Sequence, residues 1–194
     1  MNQIDIQLHK TEIGEVVLGS FRGKLCLLGF RRREMIGTVD DRIKRALNAG
    51  FVEHDDEILE KTRRQLDEYF KGLRRRFDIP VLMVGTDFQK RVWNVLMKVP
   101  YGDTSTYLQV AKDVGSARAV RAVGNANAAN PISIIIPCHR IIGSGGELVG
   151  YGGGLSVKRR LLELERKNTR ACDRRMEIPK QTKPGCLRVE DIER

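Results

Sequence analysis

Residues 13–30, IGEVVLGSFRGKLCLLGF, hold two apolar segments on either side of Arg22-Gly23. Two such runs about a tight turn predict a β-hairpin. From Asp55 to Arg75 the period changes. Ile58, Leu59, Thr62, Leu66, Tyr69, Phe70 and Leu73 recur near helical spacing and predict an amphipathic helix. IPVLMVG at 79–85 reads as a short strand or an extended link. Thr86 with Gln89 makes a capping box, and Phe88, Val92, Val95 and Leu96 then line one face of a helix that Pro100-Tyr101-Gly102 stops. The pattern predicts an α/β chain. A small first domain with antiparallel strands spans 1–84, a mostly helical domain spans 85–167, and a polar tail of both charge signs spans 168–194.

Within the helical part, STYLQVAKDVG (105–115) and SARAVRAVGNANAAN (116–130) predict two short helices joined through a glycine, a helix-turn-helix pattern. The second helix is crowded with small residues, among them Ala117, Ala119, Ala122, Gly124, Ala126 and Ala128. A major-groove reader needs several long polar side chains aimed at base edges, and this helix offers little beyond Arg118 and Arg121. It is expected to dock closely on DNA without reading much sequence, with Arg121 long enough to fill a gap in the base stack. A core helix with its alanines packed inside is the competing reading. The formal net charge of +10 favours an anionic partner and so the first reading.

No apolar run approaches the roughly 18 residues of a membrane helix, and MNQIDIQLHK lacks a signal-peptide core. The chain is expected to be a soluble, cytoplasmic monomer, nucleoid-associated if prokaryotic, with no membrane partner. The cysteines at 26, 138, 172 and 186 form no paired framework and are expected as reduced thiols. No spacing of His9, His54 and His139 points to a metal site, and no cofactor is expected.

The chemistry concentrates in PISIIIPCHRIIGSGG (131–146), where the most apolar stretch ends in Cys138 and His139. A thiol with a pKa near 8.5 is only about 3% thiolate at pH 7, so nucleophilic work needs a base and a group that orients it. The helix SVKRRLLELERK (156–167) supplies two carboxylates. Leu155, Val157, Leu161, Leu162 and Leu164 mark its apolar face, beside which Glu165 is placed to point inward while Glu163 faces solvent. Between them lie six glycines from Gly143 to Gly153, with Tyr151 among them, a composition suited to a flat slot for a planar ligand.

NPISII before PCHR, followed by GYGGGLSVKRRLLELE, resembles the O6-alkylguanine-DNA alkyltransferases, the methylated-DNA–protein-cysteine methyltransferases. GTDFQKRVWNVLMKVPYGDTSTY and SARAVRAVGNANAANP carry the resemblance across about residues 80 to 166. It implies a ribonuclease H-like first domain and a winged-helix-like second one. It also implies that Cys138 accepts an alkyl group from O6 of guanine in double-stranded DNA, once per protein, with O4 of thymine a second candidate donor. His139 would deprotonate Cys138 through a water and Glu165 would orient His139. Asn130 would hold the turn that shapes the pocket, and Tyr107 would donate a hydrogen bond to the purine, at N3. Arg121 would replace the flipped nucleotide as the helix enters the minor groove. Tyr151 would form a pocket wall, with the backbone of Gly152 and Gly153 facing the base. Ser133 and Ile141 stand near the pocket where the family often has other apolar or proline residues. The alternative from another class is a non-catalytic or regulatory module that recognises alkylated DNA.

Overall fold

The computed structural model describes residues 2–31 and 36–176, with side chains at 2–31 and 39–169. Its first element is a strand the hairpin pattern did not include. In β1 (Asn2–Thr11), Ile4, Ile6 and Leu8 alternate with polar residues, and Ile4 is buried. The expected hairpin follows as β2 (Gly14–Phe21) and β3 (Lys24–Phe30). Its turn holds Arg22 and Gly23 both at positive φ, 50° and 73°, the twist that suits adjacent antiparallel strands. After α1 (Ile36–Leu47), β4 (Ala49–Glu53) pairs parallel with β1, giving the order β3-β2-β1-β4.

Helix α2 (Glu57–Phe70) packs on β1 and β2. Asp56 caps it by accepting the Leu59 N–H. It ends short of the expected Arg75, because Gly72 takes a left-handed φ of 74° and turns the chain away. Residues 79–85 are extended against β3, where Leu25 N–H donates to Pro80 O and Leu82 N–H to Leu25 O, both at 2.8 Å. Pro131 to Ser133 take the rest of that edge, through Leu28 N–H to Pro131 O and Ser133 N–H to Leu28 O. The second half of the chain thus closes the outer edge of the sheet and delivers the segment leading to Cys138.

The capping box of Thr86 and Gln89 opens α3 (Asp87–Leu96), which buries Val92, Trp93 and Leu96. The helix-turn-helix is shorter than its pattern. It comprises α4 (Tyr107–Asp113), a 3-10 turn at Ala117–Ala119 and α5 (Val120–Ala128). Ser105–Thr106 is instead β5, paired parallel with β6 (Ile141–Ile142). Helix α6 (Leu155–Met176) runs past Lys167, where the tail was expected to begin, and residues 177–194 with Cys186 lie outside the described residues.

One apolar core runs through both halves, from Val16, Leu18 and Leu28 through Leu66 and Tyr69 to Trp93, Val123 and Leu161. A smaller one under α1 holds Ile4, Cys26, Val39 and Ile43. Arg42 of α1 donates to Ala129 O at the end of α5 at 2.8 Å, a cation at a helix C-terminus. No described helix is long and apolar enough to cross a membrane.

Candidate active site

The approach to Cys138 is a tight turn held by one side chain. Asn130 Oδ1 accepts the Ile132 N–H at 3.0 Å and its Nδ2 donates to Ile136 O at 2.8 Å. The turn forces Ile134 to φ 72°, a left-handed conformation that a β-branched side chain rarely adopts. Such strain costs on the order of 1–3 kcal/mol and persists only where the surroundings over-determine it. Here the surroundings are the Asn130 bridge, the docking on β3 and full burial of Ile132, Ile134 and Ile136.

Cys138, His139 and Arg140 then form a single 3-10 turn, all buried. His139 Nε2 lies 2.9 Å from Glu165 Oε1, and both side chains are 0% exposed. The carboxylate therefore takes the proton on Nε2 and leaves Nδ1 as the imidazole's lone pair. Nδ1 makes no hydrogen bond to any described residue. Burial pushes the His139 pKa down, against the pull of Glu165, so the ring stays neutral and basic near pH 7.

Glu165 is the most heavily bonded side chain of the site. Besides His139 it accepts Arg140 Nη2 at 2.9 Å, Arg140 Nε at 3.0 Å, Gly102 N–H at 3.0 Å and Tyr69 O–H at 2.7 Å. Burial alone would raise its pKa, but the hydrogen bonds from His139 and Arg140 and the Arg140 charge hold it at about 2. Arg140 also donates to Val99 O at 2.7 Å.

The glycine-rich segment closes over this line. Tyr107, at the start of α4, donates its hydroxyl to Val149 O at 3.3 Å. Burial pushes its pKa up to about 12, so it remains a donor. Lys158 is fully buried, with Nζ on Ile141 O at 2.5 Å, Val149 O at 2.7 Å and Gly150 O at 3.4 Å. It ties the glycine-rich segment to the Cys138 turn. Burial pulls its pKa down to about 8, opposed by Cys138. Tyr151 packs edge-on against Phe30, centroids 6.1 Å apart. A Cβ on Gly153 would meet the Phe30 ring at 2.7 Å, so close packing between those rings requires the glycine.

Of the residues singled out from sequence, Cys138, His139, Glu165, Asn130, Tyr107, Ser133 and Ile141 gather around this turn, while Tyr151 packs on Phe30. Glu163 faces solvent, as expected. Gly152 is exposed. Arg118, Arg121 and Ala122 are exposed on the helix-turn-helix, and Gly124 is half-buried. A Cβ on Gly124 would meet nothing within 4 Å. A glycine inside a helix costs about 0.5–1 kcal/mol relative to alanine, and no described contact at this site offsets that cost. Cys26, by contrast, is inert: burial pushes its thiol up to about 12.

Sequence patterns missed Arg140, Lys158 and Tyr69. Arg140 and Lys158 stand in PCHR and SVKRRLLELERK without a role, and Tyr69 falls in an apolar stripe. No local signal distinguishes them, because their partners are Glu165 and loop carbonyls brought up by the fold.

A buried thiol adjoining a His–Glu pair, beside a helix-turn-helix, defines a thiol-centred site on a nucleic-acid-binding scaffold. A family model described as 6-O-methylguanine DNA methyltransferase, DNA binding domain, matches residues 87–167. The methylated-DNA–protein-cysteine methyltransferase of Methanosarcina acetivorans is 50% identical over 111 residues, 57% of this chain and 71% of that protein. The inducible one of Bacillus subtilis is 45% identical over 119 residues, 61% of this chain and 66% of that protein. The crystal structure of Mycobacterium tuberculosis O6-methylguanine methyltransferase matches at TM-score 0.71 and 38% identity, covering 85% of this chain and 94% of that one. The M. tuberculosis OGT in complex with DNA matches at TM-score 0.72 and 36% identity, covering 86% and 94%. The chain belongs to the methylated-DNA–protein-cysteine methyltransferase family.

Proposed function

We propose that the protein repairs alkylated DNA by moving a methyl or other alkyl group from O6 of guanine onto its own Cys138, once per molecule. The observation that carries this is the buried His139–Glu165 pair, its histidine in the same 3-10 turn as Cys138, with Nδ1 of a neutral His139 unbonded among the described residues. His139 takes the thiol proton through a bridging water. Sulfur attacks the alkyl carbon, the C–O6 bond breaks, and its electron pair passes into the purine, which takes up a proton as guanine. Tyr107, freed from Val149 O, donates to N3 and lowers the charge on the leaving purine. The product is a thioether, which has no easy hydrolytic exit, so the protein is consumed. This chemistry asks for no metal or soluble cofactor.

DNA would dock on α5, with Arg118 and the small residues Ala122 and Gly124 letting the helix approach the minor groove. Extruding the damaged nucleotide costs a few kcal/mol, less for a poorly paired base. Arg121 would fill the space, and Tyr151 with the backbone at Gly152 and Gly153 would receive the base beside Ser133 and Ile141. The β3-β2-β1-β4 order supports a ribonuclease H-like first domain, and the β5–β6 pair beside the helix-turn-helix supports its winged form.

The test is stoichiometric. With excess duplex bearing O6-methylguanine, loss of the lesion is expected to stop at one equivalent of protein; continued turnover would overturn the proposal. Arg121→Ala is expected to slow repair of duplex about tenfold or more while leaving reaction with free O6-alkylguanine base unchanged. Equal slowing of both would remove its flipping role. Gly124→Ala is expected to raise stability by about 0.5–1 kcal/mol in a thermal melt and to weaken duplex binding several-fold by fluorescence anisotropy. Unchanged binding would place the duplex elsewhere.

A further inference from the structure

We propose that Tyr69, from the first half of the chain, is a positioning residue for the transfer reaction, its hydroxyl donating to Glu165 and so setting how strongly that carboxylate holds His139. The inference rests on the alkyl-transfer function proposed above. Tyr69 lies in the last turn of α2 and is 0% exposed, its ring packed against Phe70, Phe77 and Tyr101. Those contacts need only a phenyl ring. The one atom by which tyrosine differs from phenylalanine is spent on Glu165, at 2.7 Å across 96 residues of sequence.

The geometry makes this hydroxyl a competitor of His139. Oε1 of Glu165 accepts Tyr69 O–H, His139 Nε2 and Arg140 Nη2, while Oε2 accepts Gly102 N–H and Arg140 Nε. A carboxylate has about four lone-pair sites, so Oε1 is crowded and each donor drains charge from the oxygen His139 faces. The other groups facing the cluster include two arginines, and Lys158 loses its charge only near pH 8, away from the acid limb. Arg140 lies with its guanidinium 5.7 Å over the Tyr101 ring, Arg75 lies 5.7 Å from the same ring, and Lys158 and Cys138 flank His139. Burial, reinforced by the Glu165 charge, pushes the Tyr69 hydroxyl well above its ordinary pKa, so it never becomes a second anion beside Glu165.

Removing the hydroxyl returns charge to Oε1, and His139 then holds a proton more tightly. A protonated His139 cannot take the thiol proton, so transfer fails at higher pH than before. In single-turnover transfer from an O6-methylguanine duplex, Tyr69→Phe is expected to shift the acid limb of the pH profile upward by about half a unit. Well below the His139 pKa the rate falls about threefold, while the rate near pH 8.5 and the affinity for unmodified duplex stay within about twofold of wild type. A merely structural role lowers the melting temperature and leaves the profile in place. Site-specific 3-fluorotyrosine at position 69, a stronger donor in the same shape, is expected to shift the limb the opposite way, and it serves where Tyr69→Phe does not fold. Profiles that superimpose on wild type overturn the inference. An inactive wild type instead overturns the alkyl-transfer function itself.

Discussion

Cys138→Ala is expected to abolish alkyl transfer while binding duplex DNA within about twofold of wild type. Two features of the site separate these effects. The sulfur sits in a buried 3-10 turn, 4% exposed, whereas Arg118, Arg121 and Ala122 are exposed on the 3-10 turn before α5 and on α5 itself. Loss of the sulfur leaves a small cavity costing about 1 kcal/mol, too little to disturb α5, which is anchored by Trp93 Nε1 on Ala126 O at 2.8 Å and by Arg42 on Ala129 O. Cys138→Ser is expected to be as inactive, because a neutral imidazole is too weak a base for an alcohol without further activation. Transfer and affinity are measured on the same preparations, by lesion loss and by anisotropy. Loss of binding along with transfer would mean that the thiol turn also supports the DNA surface.

Glu165→Gln is expected to damage both rate and stability. The amide brings an N–H₂ against donors: on one side Tyr69, His139 and Arg140 Nη2, on the other Gly102 N–H and Arg140 Nε. His139 loses the acceptor that fixes its tautomer, and a positioned base of this kind contributes roughly 100-fold or more to rate. Arg140, only 7% exposed, keeps its charge without a counterion, and breaking such a buried pair costs about 3–5 kcal/mol. The pH dependence checks the cause. Glu165 is held at about 2 in the folded chain and titrates near 4.3 when unfolded. A depressed carboxyl stabilises the fold above its unfolded pKa, and that contribution fades as pH falls from about 4.3 toward 2. At neutral pH it amounts to about 3 kcal/mol. Denaturant melts near pH 7 should therefore separate wild type from variant by several kcal/mol, and melts near pH 3 by about 2 kcal/mol less. An equal gap at both would place the loss in packing.

The sequence carried the site's chemistry more fully than its support. Cys138 and His139 stood together at the end of an apolar run, and Glu165 lay beside the apolar face of its helix, so each was visible locally. The hairpin about Arg22-Gly23 and the Thr86–Gln89 cap were equally local, being set by a turn and a three-residue contact. The alternation of Ile4, Ile6 and Leu8 was present too, but nothing near it names a partner. Strand β1 takes β2 by hairpin and β4 by a crossover through α1, and short β4, AGFVE, has no pattern of its own. The helix-turn-helix was overextended at its start because Ser105–Thr106 is claimed by β6, a pairing across 36 residues, and at its end because Asn130 is held in the turn that follows. Tyr69 and Lys158 were hidden for the same reason. Each follows the periodicity of an ordinary helix, and its role depends on one polar atom meeting groups that only the tertiary structure brings there.

The most direct measurement is the intact mass of the full chain after incubation with duplex DNA containing O6-methylguanine, followed by peptide mapping. A gain of one methyl group per chain, located on Cys138 and absent in Cys138→Ala, is the predicted result. An unchanged mass with the DNA bound, or a methyl group mapped to another residue, would contradict the assignment of Cys138 as the acceptor.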